Sequence, residues 1–227
     1  MKRVIENLEA VLFDLDGTLV ETNIDFALMR EEMLAVADQF DVDSKPLRGM
    51  DILAIVEHVC AALTARGTPE RADDARREAM RRLEKIELVQ SQTAREVESA
   101  NSLIAALRER GVKIGIVTRN SRRASEISLE ASGLGSRFLM LAREDVRNTK
   151  PHPDHLLRAL EILGASPDKS LMVGDHTMDV QAGKAAGMRT IALLAPERPR
   201  DFFDKVHPDA VVESLREIVD AFVDIDS

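Results

Sequence analysis

Tryptophan and tyrosine are absent from the chain, and cysteine occurs once, at Cys60. A single cysteine excludes an internal disulfide. Its apolar surroundings, IVEHVCAAL, suit a buried structural thiol better than a nucleophile with a histidine beside it. Without Trp or Tyr there is little from which to build an aromatic platform for stacking bases. Positive charge is also in deficit: 31 Lys and Arg against 40 Asp and Glu give a formal net charge of −9, which opposes a nucleic-acid backbone. No apolar run approaches the ~20 residues that cross a bilayer, so no membrane partner is expected. The first residues, MKRVIENLEA, start basic but lack the apolar stretch and cleavage site of a secretory signal, and a cytoplasmic location is the expectation.

What the chain has is enough apolar material for a sizeable core. Hydrophobic residues make up 44% and charged residues 31% of 227 residues, and about 100–200 residues per domain allows one or two domains. Short apolar runs recur and end in polar tips. Residues 9–15 (EAVLFDL) end in carboxylates, residues 112–117 (VKIGIV) run into Thr118, and residues 170–173 (SLMV) run into Gly174 and Asp175. Residues 188–194 and 209–212 read as two more strands. Between them lie helical patterns over residues 100–110, 123–132, 153–163 and 178–186, each followed by a glycine (Gly111, Gly133, Gly164, Gly187), and a last one over 214–222. Strands alternating with helices of this length predict an α/β fold, a doubly wound parallel sheet with helices on both faces.

Residues 25–96 break the alternation, showing helical periodicity over about 26–40, 51–66 and 69–89 and no convincing strand. This predicts a core domain from residues 1–20 and 97–227 and an inserted helical domain at 21–96, with the segments 20–23 and 93–99 as adjacent linkers.

The sharpest feature is Asp14-Leu15-Asp16-Gly17-Thr18 directly after the first strand. Residues two apart on an extended segment point the same way, so Asp14 and Asp16 are expected to project into the crevice beyond the strand ends, where open α/β sheets bind ligands. Carboxylates gathered there repel by on the order of 4 kcal/mol per close pair at an effective dielectric of about 20. A divalent cation relieves that repulsion, and hard oxygen ligands favour Mg2+ shared with a substrate phosphate.

With this motif the sequence resembles the haloacid dehalogenase superfamily, whose first motif is an Asp-x-Asp-Gly-Thr at the end of the first strand of a Rossmann-like sheet. In the resemblance Thr118 matches the second motif, a hydroxyl that binds the transferring phosphoryl group with help from the backbone amides of Arg119 and Asn120. Lys150, in Thr-Lys-Pro-His-Pro-Asp, matches the third, and Gly174-Asp175-His176-Thr177-Met178-Asp179 matches the fourth. The roles implied are Asp14 as nucleophile, Asp16 as general acid and base, and Mg2+ held by the Asp14 carboxylate, the Asp16 backbone carbonyl and Asp175, with Asp179 beside them. The insertion resembles the helical caps of this superfamily, and Arg48, in the loop Lys45-Pro46-Leu47-Arg48-Gly49, is the candidate substrate contact there. The activity implied is hydrolysis of a small-molecule phosphomonoester, most like the phosphoglycolate phosphatase branch, by a monomer or homodimer.

Plainer readings compete at single positions: Asp179 as an acid in the first turn of a helix, Lys150 as a loop residue before proline, Thr118 as a helix N-cap, Arg48 as a solvated arginine. His176 departs mildly from the pattern and has no assigned role. A phosphomutase would keep the same four motifs. A non-catalytic phospho-accepting or phosphate-binding module also gathers acids, a Thr and a Lys at strand tips, though the second acid of the first motif and the long insertion speak against it.

Overall fold

The computed structural model describes residues 1–135 and 137–226. The chain packs into two compact units, one from residues 1–22 with residues 91 onward, the other from residues 23–90. The first unit is built on six parallel strands: β1 (Ala10–Phe13), β4 (Lys113–Val117), β5 (Leu139–Leu141), β6 (Ser170–Gly174), β7 (Arg189–Leu193) and β8 (Ala210–Val212). Their order is β5-β4-β1-β6-β7-β8. The chain leaves β1 towards β4 and β5, then returns to the other side of β1 for β6, β7 and β8. The order therefore reverses at β1, and the crevice at the carboxyl ends of β1, β4 and β6 is the place where such sheets bind ligands.

β1 is buried at all four residues, as a central strand covered on both faces requires. Its register aligns Phe13 with Ile116 of β4 and with Val173 of β6, which brings three strand ends level. The helices of this unit are α1 (Lys2–Ile5), α5 (Ala100–Glu109), α6 (Arg122–Ala131), α7 (Asp154–Leu163), α8 (Thr177–Ala185) and α9 (Leu215–Asp226). α5 shows why they form, since Ala100, Leu103, Ile104 and Leu107 at helical spacing are all buried. α7 ends on Gly164, whose φ of 61° closes the helix.

Three short pieces escape the sequence pattern. β5 has three residues and no alternation, and α1 has a single turn. The segments read as linkers hold a two-stranded antiparallel ribbon, β2 (Val20–Glu21) with β3 (Arg95–Glu96). This pairing is why residues 91–96 belong with the α/β unit, whereas apolar periodicity alone puts them with the helices.

The second unit is helical. α2 (Phe26–Gln39) begins at Asp25, whose carboxylate accepts from the Leu28 amide at 2.8 Å, and α3 (Ile52–Ala65) is capped by Asp51 in the same way. α4 (Pro69–Ser91) starts on a proline, which needs no amide donor there. Its buried face carries Ala72, Ala75, Ala79 and Leu83, which share one apolar core with Met33, Ile55 and Leu63. Cys60 is buried in the same core, where burial pushes its thiol pKa up. Among the described residues no helix is long and apolar enough to cross a membrane.

Candidate active site

Each strand end at the crevice is followed by a polar residue: Asp14 after β1, Thr118 after β4, Asp175 after β6. The Asp14 amide donates to the Val173 carbonyl at 2.9 Å and the Thr118 amide to the Leu141 carbonyl at 3.0 Å, so the ladder continues one residue past the strands and fixes these backbones. Two glycines then let the acids close in. A Cβ on Gly17, whose φ is +76°, would sit 2.5 Å from Asp175 Oδ2, and one on Gly174 would sit 2.3 Å from Asp179 Cγ.

Asp14, Asp175 and Asp179 each offer a carboxylate oxygen within 4.8 Å of one another. Lys150 enters this group from the segment before α7 with almost its entire side chain buried. Its Nζ lies 2.8 Å from Asp14 Oδ1 and 2.7 Å from Asp179 Oδ1. Burial works against the ammonium, but the Asp14 and Asp179 carboxylates outweigh it and its pKa is raised. Asp14 Oδ1 also accepts from the Leu15 amide at 2.7 Å, which leaves Oδ2 as the oxygen with no hydrogen-bond donor among the described residues. Burial pushes the Asp14 carboxyl pKa up over the opposing pull of Lys150. Asp175 is driven up to about 8 by burial, then by Asp14 and Asp179. One ammonium against three carboxylates leaves the cluster short of positive charge, and its all-oxygen donor set fits a hard divalent cation such as Mg2+.

Asp179 does two things at once. Its Oδ1 binds Lys150, and its Oδ2 accepts from the His176 amide at 3.0 Å in a reciprocal cap at the start of α8, where the His176 ring accepts from the Met178 amide. The helix-acid reading and the site reading of Asp179 thus coexist in one side chain, and His176 is the cap.

The Asp16 side chain is not one of this three-acid group. Its backbone bridges to Val20, and Gly17 follows with a positive φ. Its Oδ1 accepts from Thr22 Oγ1 and its Oδ2 from Asn120 Nδ2, both at 2.7 Å. Its bond to Asn120 sets the Asp16 side chain beside the loop after β4, at the carboxyl end of the sheet.

The loop after β4 departs in detail from expectation. Thr118 is buried and its Oγ1 accepts from the Asn120 amide at 3.1 Å. That amide, expected to meet a phosphoryl group, is thus engaged within the loop, while the Asn120 side chain holds Asp16. Thr118 is not the N-cap of α6; Ser121 is, accepting from the Ala124 amide at 3.3 Å. The Arg119 guanidinium donates to Met178 Sδ. Behind the loop the buried Arg143 donates from its amide to the Asn120 carbonyl and from Nη1 to the Arg119 carbonyl, both at 3.1 Å. Arg48 lies in the helical unit, exposed after a 3₁₀ turn at Lys45–Leu47.

Sequence reasoning missed Thr22, Arg143 and the side-chain role of Asn120. Only Asn120 had a local signal, its place two residues after Thr118.

The profile of the haloacid dehalogenase-like hydrolases matches residues 11–193, a span that holds every residue of this site. Among similar proteins is the pyrophosphatase PpaX of Bacillus mycoides, 30% identical over 220 residues, covering 93% of this chain and 95% of its own. The PpaX of Anoxybacillus flavithermus is 30% identical over 221 residues, with 94% and 96% covered. Solved structures with the same fold include a hydrolase from Pseudomonas syringae (TM-score 0.67, 20% identity, 96% of this chain and 100% of that one). A HAD family hydrolase from Deinococcus radiodurans, solved with phosphate and sodium, has a TM-score of 0.62 at 22% identity, with 97% of each chain covered. With its motifs in order on one sheet edge and its profile match over most of its length, the chain belongs to the haloacid dehalogenase-like hydrolases.

Proposed function

We propose that this hydrolase is a Mg2+-dependent phosphatase that cleaves a small phosphate ester or anhydride through a phosphorylated Asp14. The observation that carries the reading is Asp14 itself: one carboxylate oxygen pinned by Lys150 and the Leu15 amide, the other open, beside two further acids. Asp14 and Asp175, with the Asp16 carbonyl, would hold the ion, and Asp179 would hold Lys150. Bound there, Mg2+ supplies positive charge to phosphoryl oxygens during transfer.

Asp14 Oδ2 attacks phosphorus as the bond to the leaving oxygen breaks, and Lys150 keeps the attacking carboxylate oriented. Asp16, kept in place by Thr22 and Asn120, gives its proton to the leaving oxygen. Water then attacks the phosphorus of the aspartyl phosphate and loses a proton to Asp16, which frees orthophosphate and restores the Asp14 carboxylate. Thr118, through its hydroxyl, keeps the loop after β4 folded against this centre.

The PpaX relatives are named pyrophosphatases, which makes inorganic pyrophosphate the first substrate to try and phosphoglycolate the second. The test is phosphate release from both, and from sugar phosphates and nucleotides, with Mg2+ and with chelator. Asp14→Asn is expected to lower release by about a thousandfold or more while the protein stays folded. Release of phosphate at a near-normal rate by Asp14→Asn would remove the assigned nucleophile. Isomerised sugar phosphate in place of free phosphate would mean a mutase.

A further inference from the structure

The loop that follows β7 rises from the same end of the sheet as Asp175, because β7 lies beside β6 with Ala192 paired to Gly174. Phe203 anchors it, packing with Val180 of α8, Ala192 and Leu194 in a small apolar cluster. Phe202 stands edge-on to Phe203 at 4.9 Å and edge-on to the His176 ring at 5.9 Å. On the Phe202 face lies the Arg198 guanidinium, 4.4 Å from the ring centroid. A chain of contacts thus ties Arg198 through Phe202 to His176, the residue next to Asp175.

Arg198 is held by stacking and by no carboxylate: it makes no ion pair among the described residues, and its Nε is buried without a hydrogen-bond partner. Burying a guanidinium donor unpaired is unfavourable, a cost that a bound anion removes. Asp14 and Thr118 stand at the ends of β1 and β4, on the other side of β6 from the loop after β7. Arg198 comes from the β7 side. A planar fork with open donors, stacked on an aromatic face, is suited to an oxyanion group.

We propose that Arg198 is a specificity residue that binds a negative charge on the leaving group, so that the site selects phosphate compounds whose departing half carries its own phosphoryl or carboxylate. The inference rests on the phosphatase reading of the site for its geometry, and its test does not need turnover.

The experiment is calorimetric titration of the Mg2+-loaded protein with imidodiphosphate, a pyrophosphate mimic, and with orthophosphate, in the parent, Arg198→Gln and Arg198→Lys. The glutamine variant keeps a stem to lie on Phe202 and removes the charge. It is expected to weaken imidodiphosphate by about tenfold or more, the loss of one charge-assisted contact. Orthophosphate should change by less than about twofold, which also reports that the fold is intact, and Arg198→Lys should recover part of the loss. In turnover, KM for pyrophosphate or for phosphoglycolate should rise in Arg198→Gln while p-nitrophenyl phosphate, with its uncharged leaving group, keeps its KM. Whichever of the two anionic substrates responds identifies the group bound. Equal weakening of imidodiphosphate and orthophosphate, no weakening of either, or no binding of imidodiphosphate by the parent would overturn the proposal. If the parent binds imidodiphosphate through Arg198 yet releases phosphate from nothing, the phosphatase reading falls and the anion subsite stands.

Discussion

The two units of this chain use charge in opposite ways. In the α/β unit few charges are buried, but they converge: Lys150 and Asp179 are almost completely out of solvent and both belong to one cluster with Asp14 and Asp175. In the helical unit charges are many; Glu87 is buried, and others pair at the surface: Arg71 with Asp41, Arg76 with Glu57, Arg81 with Glu78, and the half-buried Arg82 with Glu78 and Glu32. Exposed pairs are screened and contribute about 0–1 kcal/mol each, whereas removing one partner of a buried group costs several times more. Ion pairs are denser along the sequence in the helical unit, but their energetic weight follows burial rather than number.

Lys150→Met breaks the comparison hardest. It leaves the Asp14 and Asp179 carboxylates buried without their ammonium and should cost about 3–5 kcal/mol in urea unfolding without metal. A change below about 1 kcal/mol would place Lys150 among the surface pairs in energetic terms.

His155 of α7 comes next. Its Nε2 lies 3.2 Å from the Leu141 carbonyl, and burial, then the nearby Lys150 charge, lowers its pKa to about 4. In the unfolded chain the imidazole titrates near 6.5, so between these values unfolding takes up a proton. The stability it contributes is complete above about pH 6.5 and is lost as the pH falls through about 4, a total of roughly 3 kcal/mol. Unfolding free energies at steps across that window should slope less in His155→Gln than in the parent; equal slopes would exclude the imidazole as their source.

The smallest effect belongs to the helical unit. Arg76 and Glu57 form a two-pronged pair with N–O distances of 2.5 and 2.7 Å, but both side chains are substantially exposed. A double-mutant cycle on Arg76→Gln and Glu57→Gln should give a coupling under about 1 kcal/mol that shrinks in high salt. A coupling of several kcal/mol would erase the distinction between the units.

The strands that carry the site were legible because each is a short apolar run that stops on a residue with chemistry: Asp14, Thr118 and Asp175 all occupy the first position past a strand. Lys150 was legible only through its place in a family pattern, since nothing in Thr-Lys-Pro marks a lysine that will be buried. What holds Asp16 was not legible at all. Its bond to Asn120 spans 104 residues, and neither partner has a local signature for the other. Arg198 is similar, because its stacking on Phe202 looks in sequence like any arginine in a proline-rich loop. β5 and the β2–β3 ribbon were missed for a different reason, being too short for period-two alternation to register.

The glycine after Asp16 and the glycine before Asp175 have one further consequence. Where each lacks a methyl group, an acid oxygen or its carbon already stands. The spacing of the carboxylates is therefore set by empty positions on the main chain as much as by the carboxylates themselves. An alanine at either place would push an acid out of the crevice without altering a single charged residue, so the charge geometry can be lost through residues that carry no charge.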